Sequence, residues 1–117
     1  MAETFKNARL APLPSIGVTG FSTAYTVPVG KTAVVLLAQV ANVESSQVGG
    51  SVRWTDASAG GAVTYLVDEV QVPAAAALSV LSGKLVLEEG DTLEAGQEGT
   101  PELALELTVS VLEISNA

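Results

Sequence analysis

The sequence predicts an all-β fold: an antiparallel β-sandwich of about eight strands, for which a jelly roll is one available connection. Three observations carry this. Val, Ile and Thr are abundant, and Gly or Pro punctuates the chain about every ten residues, the spacing of short strands in a sandwich or barrel. The segment "ELALELTVSVLEIS" (102–115) alternates with a period of two: Leu103, Leu105, Leu107, Val109 and Val111 share one face, with Glu102, Ala104, Glu106, Thr108 and Ser110 on the other. Helix signals are weak, the best being "PAAAALSVLSG" (73–83), where a single helical turn or a loop followed by a strand competes with a helix.

Each element follows from local chemistry. Residues 1–20 read as an N-terminal arm or edge strand leading into a loop, because Pro12 and Pro14 exclude a central strand. The sandwich domain then occupies residues 21–117. "FSTAYTV" (21–27) reads as a strand, Pro28-Val29-Gly30 as a turn, and "KTAVVLLAQVANV" (31–43) as the longest apolar strand. "ESSQVGG" (44–50) reads as a loop. "SVRWTDAS" (51–58) is a strand with Val52 and Trp54 on one face, and Gly60-Gly61 signals a hairpin into "AVTYLVDEVQV" (62–72). "GKLVLEEGDTLEAG" (83–96) gives two short strands joined at Glu89-Gly90-Asp91, with a loop over 97–102.

Two strands carry more apolar surface than one core face needs. In 31–43, Val34, Leu36, Ala38 and Val40 lie on one side in strict alternation. Val35, Leu37 and Ala41 lie on the other, with Gln39 among them. In the last strand the phase slips, since Leu112 and Ile114 fall in the polar register. A bulge near Val111 would explain the slip. Burial of both faces there, by a partner subunit, is the reading preferred. A second apolar face implies a further layer, a closed barrel or an oligomer contact.

Composition narrows the function. The chain has 117 residues, 48% hydrophobic and 15% charged, against about 25% charged in an ordinary soluble domain. A surface this poor in charge suits a protein that is largely contacted. The net charge is −8, and residues 85–117 hold eight acids and no base while residues 1–84 balance. Nucleic-acid binding needs clustered Lys and Arg, so no nucleic-acid partner is expected. There is no Cys and no His, which excludes disulfides, thiol chemistry and His-based catalysis. No stretch reaches the roughly 18 apolar residues of a membrane helix. The N-terminus lacks the apolar core of a signal peptide, so a product of the cytoplasm with no membrane partner is expected.

Motifs for chemistry do not assemble. Gly30-Lys31-Thr32 ends like a phosphate-binding loop, but the first glycine of that loop would fall at Tyr25. Pro28 offers no N–H, and a β-rich run follows where a helix should start. Glu88, Glu89 and Asp91 could ligate calcium, but a hairpin turn with solvated acids accounts for them without a metal or cofactor. Asp68-Glu69 and Glu88-Glu89 are neighbours in sequence, so in strands they diverge and do not form a catalytic pair. No enzyme is expected. Trp54, beside Arg53, is the one candidate glycan platform, with core packing as its alternative.

The order of "YTVPVGKTAVVLLAQVANV", "VRWTDASAGGAVTYLV", "GKLVLEEGDTLEA" and "LTVSVLEIS" resembles small β-rich virion proteins of tailed bacteriophages. The resemblance covers most of residues 21–115. It implies a particle component such as a capsid decoration (cement) protein, commonly trimeric and bound to the major capsid protein. The alternatives are a tail, neck or fibre-associated protein, or a host-glycan-binding module on the virion. On this reading the expected contacts are Phe5, Lys6, Arg9 and Leu10 from the arm, with Lys6 and Arg9 meeting acids of a neighbour. Val35, Leu37 and Gln39 from the long strand, and Leu112 and Ile114 from the last, complete the set.

Overall fold

A computed structural model of the chain describes residues 3–98 and 104–116. Nine strands form among them: β1 (Glu3–Leu10), β2 (Ser22–Thr26), β3 (Lys31–Asn42), β4 (Val48–Asp56), β5 (Ala62–Val72), β6 (Ala77–Ser79), β7 (Leu85–Leu87), β8 (Thr92–Glu98) and β9 (Leu105–Ser115). One helical turn, α1 (Ile16–Thr19), precedes β2.

The strands build two antiparallel sheets. One runs β1-β9-β3-β6, with β7 also on β3, and the other runs β2-β8-β4-β5. β6 pairs with Gln39–Ala41 and β7 with Ala33–Val35, so together they act as one interrupted edge strand. Counted that way there are eight strands in two sheets of four. The chain crosses between sheets repeatedly, and the first strand pairs with the last. This is the jelly-roll form of the sandwich.

The core lies between the sheets. Ala33, Val35, Ala38 and Val40 of β3 meet Leu105, Leu107, Val109 and Val111 of β9, with Val52, Leu93 and Ala95 from the opposite sheet. Full burial of a Val or Leu side chain contributes about 1.5–3 kcal/mol.

β3 departs from strict alternation. Its register against β9 shifts between Val35 and Leu37, so Leu36 is the extra residue of a β-bulge. Ala33 and Val35 point inward before the bulge, and Ala38, Val40 and Asn42 after it. The inward set thus draws on both sides of the predicted strand because its phase changes at Leu36, while Val34, Leu36, Leu37 and Ala41 stay on the outer face. β9 shows no slip: Leu105, Leu107, Val109, Val111 and Glu113 are all buried. The expected bulge lies on the neighbouring strand, opposite Ser110 and Val111.

Several boundaries differ from the sequence reading. Residues 73–83 form no helix: a turn closed by Ala76 N–H to Pro73 O leads into β6. β4 begins at Val48, inside the expected loop, because Val48-Gly49-Gly50 pairs on both sides. β8 likewise reaches Glu98, while residues 99–103 lie outside the described residues. Of the two forms expected for residues 1–20, the edge strand is the one that occurs: β1 lies at the edge of its sheet. β1 pairs with β9 along its whole length, and Leu13 is fully buried with its N–H on Leu105 O. Gly96 lets α1 dock on β8, since a Cβ there would lie 2.5 Å from Ile16 Cγ1.

Candidate functional site

The turn before β3 settles the phosphate-loop question. Lys31 N–H bonds Pro28 O, and Gly30 has φ of 79°, the third position of a type II turn. The Gly30 N–H donates to Glu89 Oε1 at 2.6 Å, Lys31 Nζ lies 3.4 Å from Glu113 Oε1, and Thr32 Oγ1 bonds Asn116 Oδ1. All three residues serve the fold.

Sequence-predicted acids do similar work. Two of the acids offered for calcium, Glu88 and Asp91, lie with Asp56 so that carboxylate oxygens come within 4.8 Å of one another, while Glu89 accepts the Gly30 N–H instead. Asp91, fully buried, accepts the N–H groups of Ala57 (2.9 Å) and Glu88 (2.8 Å) and the indole N–H of Trp54 (3.3 Å). Asp56 accepts the Ser58 N–H and hydroxyl. These carboxylates tie turns together at one end of the sandwich. Trp54 is half-buried against the core and donates its indole N–H to Asp91.

Glu113 is the residue that sequence reasoning missed. Its side chain is 1% exposed and points between the sheets. It accepts the Tyr25 hydroxyl at 2.6 Å and ion-pairs with Lys6 Nζ at 3.0 Å and Lys31 Nζ at 3.4 Å. Burial pushes the Glu113 carboxyl up, but the donors from Tyr25, Lys6 and Lys31 outweigh it and hold the group below its ordinary value. Burial first, and then the bond to Glu113, push the Tyr25 hydroxyl well above its own.

The expected contact residues divide by strand parity. Val35 is fully buried in the core, and Leu10 and Lys6 lie on the inward side of β1 opposite Leu107 and Val111. Val35 is therefore not a surface contact, Leu10 is half-buried, and Lys6, though 48% exposed, meets an acid of its own chain. Phe5, Arg9, Leu37, Gln39, Leu112 and Ile114 do share one face, the outer surface of the β1-β9-β3 sheet.

Across that face the register lines up one row. Phe5 of β1 stands opposite Leu112 of β9, Leu112 opposite Val34 of β3, and Val34 opposite Val86 of β7. Phe5 is 74% exposed and Val86 57%, while Leu36 and Leu37 at the bulge are 38% each. The row is apolar from one edge of the sheet to the other. The rows beside it mix polar and apolar residues, Asn7–Ser110–Leu37 on one side and Glu3–Ile114–Thr32 on the other, and the row beyond Asn7 is polar, Arg9–Thr108–Gln39.

The outer face of the other sheet is built differently. Arg53 Nε bonds Glu94 Oε1 at 2.8 Å, and its guanidinium carbon lies 3.8 Å from the centroid of the Phe21 ring. Phe21 meets Tyr65 edge to face at 6.1 Å. Charge and ring surface are largely paired within the chain. The surface depressions are shallow: one borders Asn7, Ala8, Arg9 and Thr108, the other Ser15, Ile16, Gly17 and Glu98.

Comparison with known proteins finds likeness at the level of fold. No protein-family model and no curated protein matches the chain. Among solved structures it is similar to a chain of Bacillus endospore appendages, described as disulfide-linked pili, with a TM-score of 0.57 and 7% identity over 99% of this chain and 90% of that one. It is similar as well to a chain of the T13 viral particle of infectious bursal disease virus, with a TM-score of 0.57 and 8% identity over 95% of this chain. There it spans only 30% of the longer viral chain. At such identities the likeness is one of fold. Among the described residues no helix is long and apolar enough to cross a membrane.

Proposed function

We propose that the chain is a non-enzymatic structural subunit of a virion, with capsid decoration as its specific role. It acts as a homo-oligomer that also binds the major capsid protein. The observation that carries the reading is the apolar row Phe5–Leu112–Val34–Val86, held open to solvent on a rigid sheet. Exposed contiguous apolar surface of this kind marks interaction sites. A jelly roll that also occurs in a viral particle and in a pilus supports the reading at the level of fold. The test is co-sedimentation with expanded shells assembled from the major capsid protein encoded nearest the gene. Saturable binding that raises the dissociation temperature of the shells is expected. Absence of binding overturns the decoration role.

A second reading, a tail or filament subunit, is favoured by the near-complete overlap with the pilus chain. Fibres in negative-stain electron microscopy of the concentrated chain would select it. Such a filament would be held without disulfides, because this chain has no cysteine.

A further inference from the structure

We infer that the outer face of the β1-β9-β3-β7 sheet binds a second copy of this chain, face to face about a two-fold axis.

Size is the first argument. The molecule is a slab of 47 × 26 × 20 Å. Four strands spaced about 4.8 Å apart and about eight residues long, at about 3.3 Å per residue, present roughly 500 Å² in projection. Side-chain relief brings this toward the roughly 800 Å² per partner of a stable pair. The apolar row crosses the middle of that area, as the core of an interface does, and the rows Glu3–Ile114–Thr32 and Asn7–Ser110–Leu37 that flank it are more polar.

Charge is the second argument, and it selects a copy of the same chain. The outward side chains of β1 are Glu3, Phe5, Asn7 and Arg9, opposite Ile114, Leu112, Ser110 and Thr108. An acid therefore stands on one side of Phe5 and a base on the other. Among the described residues neither Glu3 nor Arg9 has an ion pair. A two-fold axis in the sheet plane, crossing the strands between the Phe5 and Asn7 rows, reverses one copy over the other. It sets Glu3 of each copy over Arg9 of its mate, and exchanges the row Phe5–Leu112–Val34 with the row Asn7–Ser110–Leu37, so that the two apolar rows lie side by side across the axis. The face is thus self-complementary, as a two-fold interface requires. A trimer would instead need a different, complementary patch, so the pair replaces the trimer that the phage resemblance implies.

This inference rests on reading the chain as an assembly subunit, but its test uses the chain alone. Sedimentation equilibrium of the full chain at rising concentration is expected to give twice the monomer mass. Phe5→Glu should weaken the pair at least about 10-fold, since burying a carboxylate there removes apolar contact and adds a desolvation cost. Its melting temperature should match that of the wild-type monomer, because Phe5 lies outside the core. Glu3→Arg should weaken the pair several-fold and Glu3→Arg with Arg9→Glu should restore it, whereas Tyr65→Ser on the opposite sheet should change nothing. A monomer at high concentration, a trimeric mass, or a dimer indifferent to Phe5→Glu would each overturn the inference. Failure to bind capsid shells with the dimer intact would overturn only the decoration role.

Discussion

Glu113 shows how a single side chain can anchor a sandwich. It takes an inward position in β9 where the alternation calls for an apolar residue, and three donors compensate it. Removing one donor leaves a buried carboxylate short of a partner, which costs about 1.5–3 kcal/mol when the lost bond is to a charged group. Tyr25→Phe should therefore lower the urea-unfolding free energy by about that much at pH 7. The pH dependence follows from the direction of the shift. A carboxyl held below its ordinary value contributes stability that is present above the unfolded value, about 4.3, and lost as pH falls through the folded one. The urea midpoint of the wild type should fall more steeply below pH 4 than that of Glu113→Gln, and parallel curves would refute the assignment. The raised Tyr25 hydroxyl acts at the other end. Its contribution is complete below pH about 10 and is lost as pH rises above it.

At the scale of elements, the bulge and the docked loop are the features to perturb. Deleting Leu36 removes the extra residue and leaves the β3–β9 pairs Val35↔Val111 and Leu37↔Ser110 adjacent. Folding should survive, with a melting shift no larger than about 4–8 °C, the equivalent of about 1 kcal/mol. Deleting Gln39 should cost far more, because it turns Val40 away from the core. Gly96→Ala should destabilise by about 1–3 kcal/mol, since its Cβ meets Ile16. Ile16→Ala in the same chain should recover most of that loss, a coupling that a double-mutant cycle measures.

These elements also show what the sequence could and could not reveal. β9 was legible because one face of it is core and the other solvent, which is the condition for alternation. The strand over 31–43 was legible as a strand but not in its phase. With Val, Leu and Ala on both sides of Leu36, periodicity carries no mark of where a bulge falls. The start of β4 was hidden because Gly49 and Gly50 have no side chains to show a pattern. β6 was masked by alanines, whose helix preference yields to pairing with β3. Six of the nine expected contacts, Phe5, Arg9, Leu37, Gln39, Leu112 and Ile114, fall together on one outer sheet face. Val35 lies in the core, and Lys6 and Leu10 take the opposite parity of β1 from Phe5 and Arg9, because parity in β1 and β3 depends on the partner strand. Glu113 shows in sequence only as an acid in the apolar register of β9, which reads there as a slip of phase and not as a buried, compensated carboxylate.

At the scale of the whole molecule, charge opposes what the apolar face favours. Each copy carries a net charge of −8, and pairing brings two such bodies together. Part of that charge also strains the monomer. Glu98 is raised above its ordinary value, first by its hydrogen bond with Glu69, then by burial and by the nearby charges of Glu69 and Asp68. A raised carboxyl contributes stability below its unfolded value and loses it as pH rises through the folded one. Glu98→Gln should therefore melt higher than the wild type at pH 7, with the gap closing toward pH 4. For the pair, salt separates the two forces. The Debye length shrinks from about 30 Å at 0.01 M to about 10 Å at 0.1 M, which screens the repulsion between the two acidic bodies. The exposed Glu3–Arg9 contacts contribute only about 0–1 kcal/mol each, so their screening costs little. The apolar row is not weakened by salt. Dimerisation should accordingly tighten several-fold between about 0.01 M and about 0.1 M salt by sedimentation. Loosening over that range would mean that the ion pairs, and not the row from Phe5 to Val86, hold the two faces together.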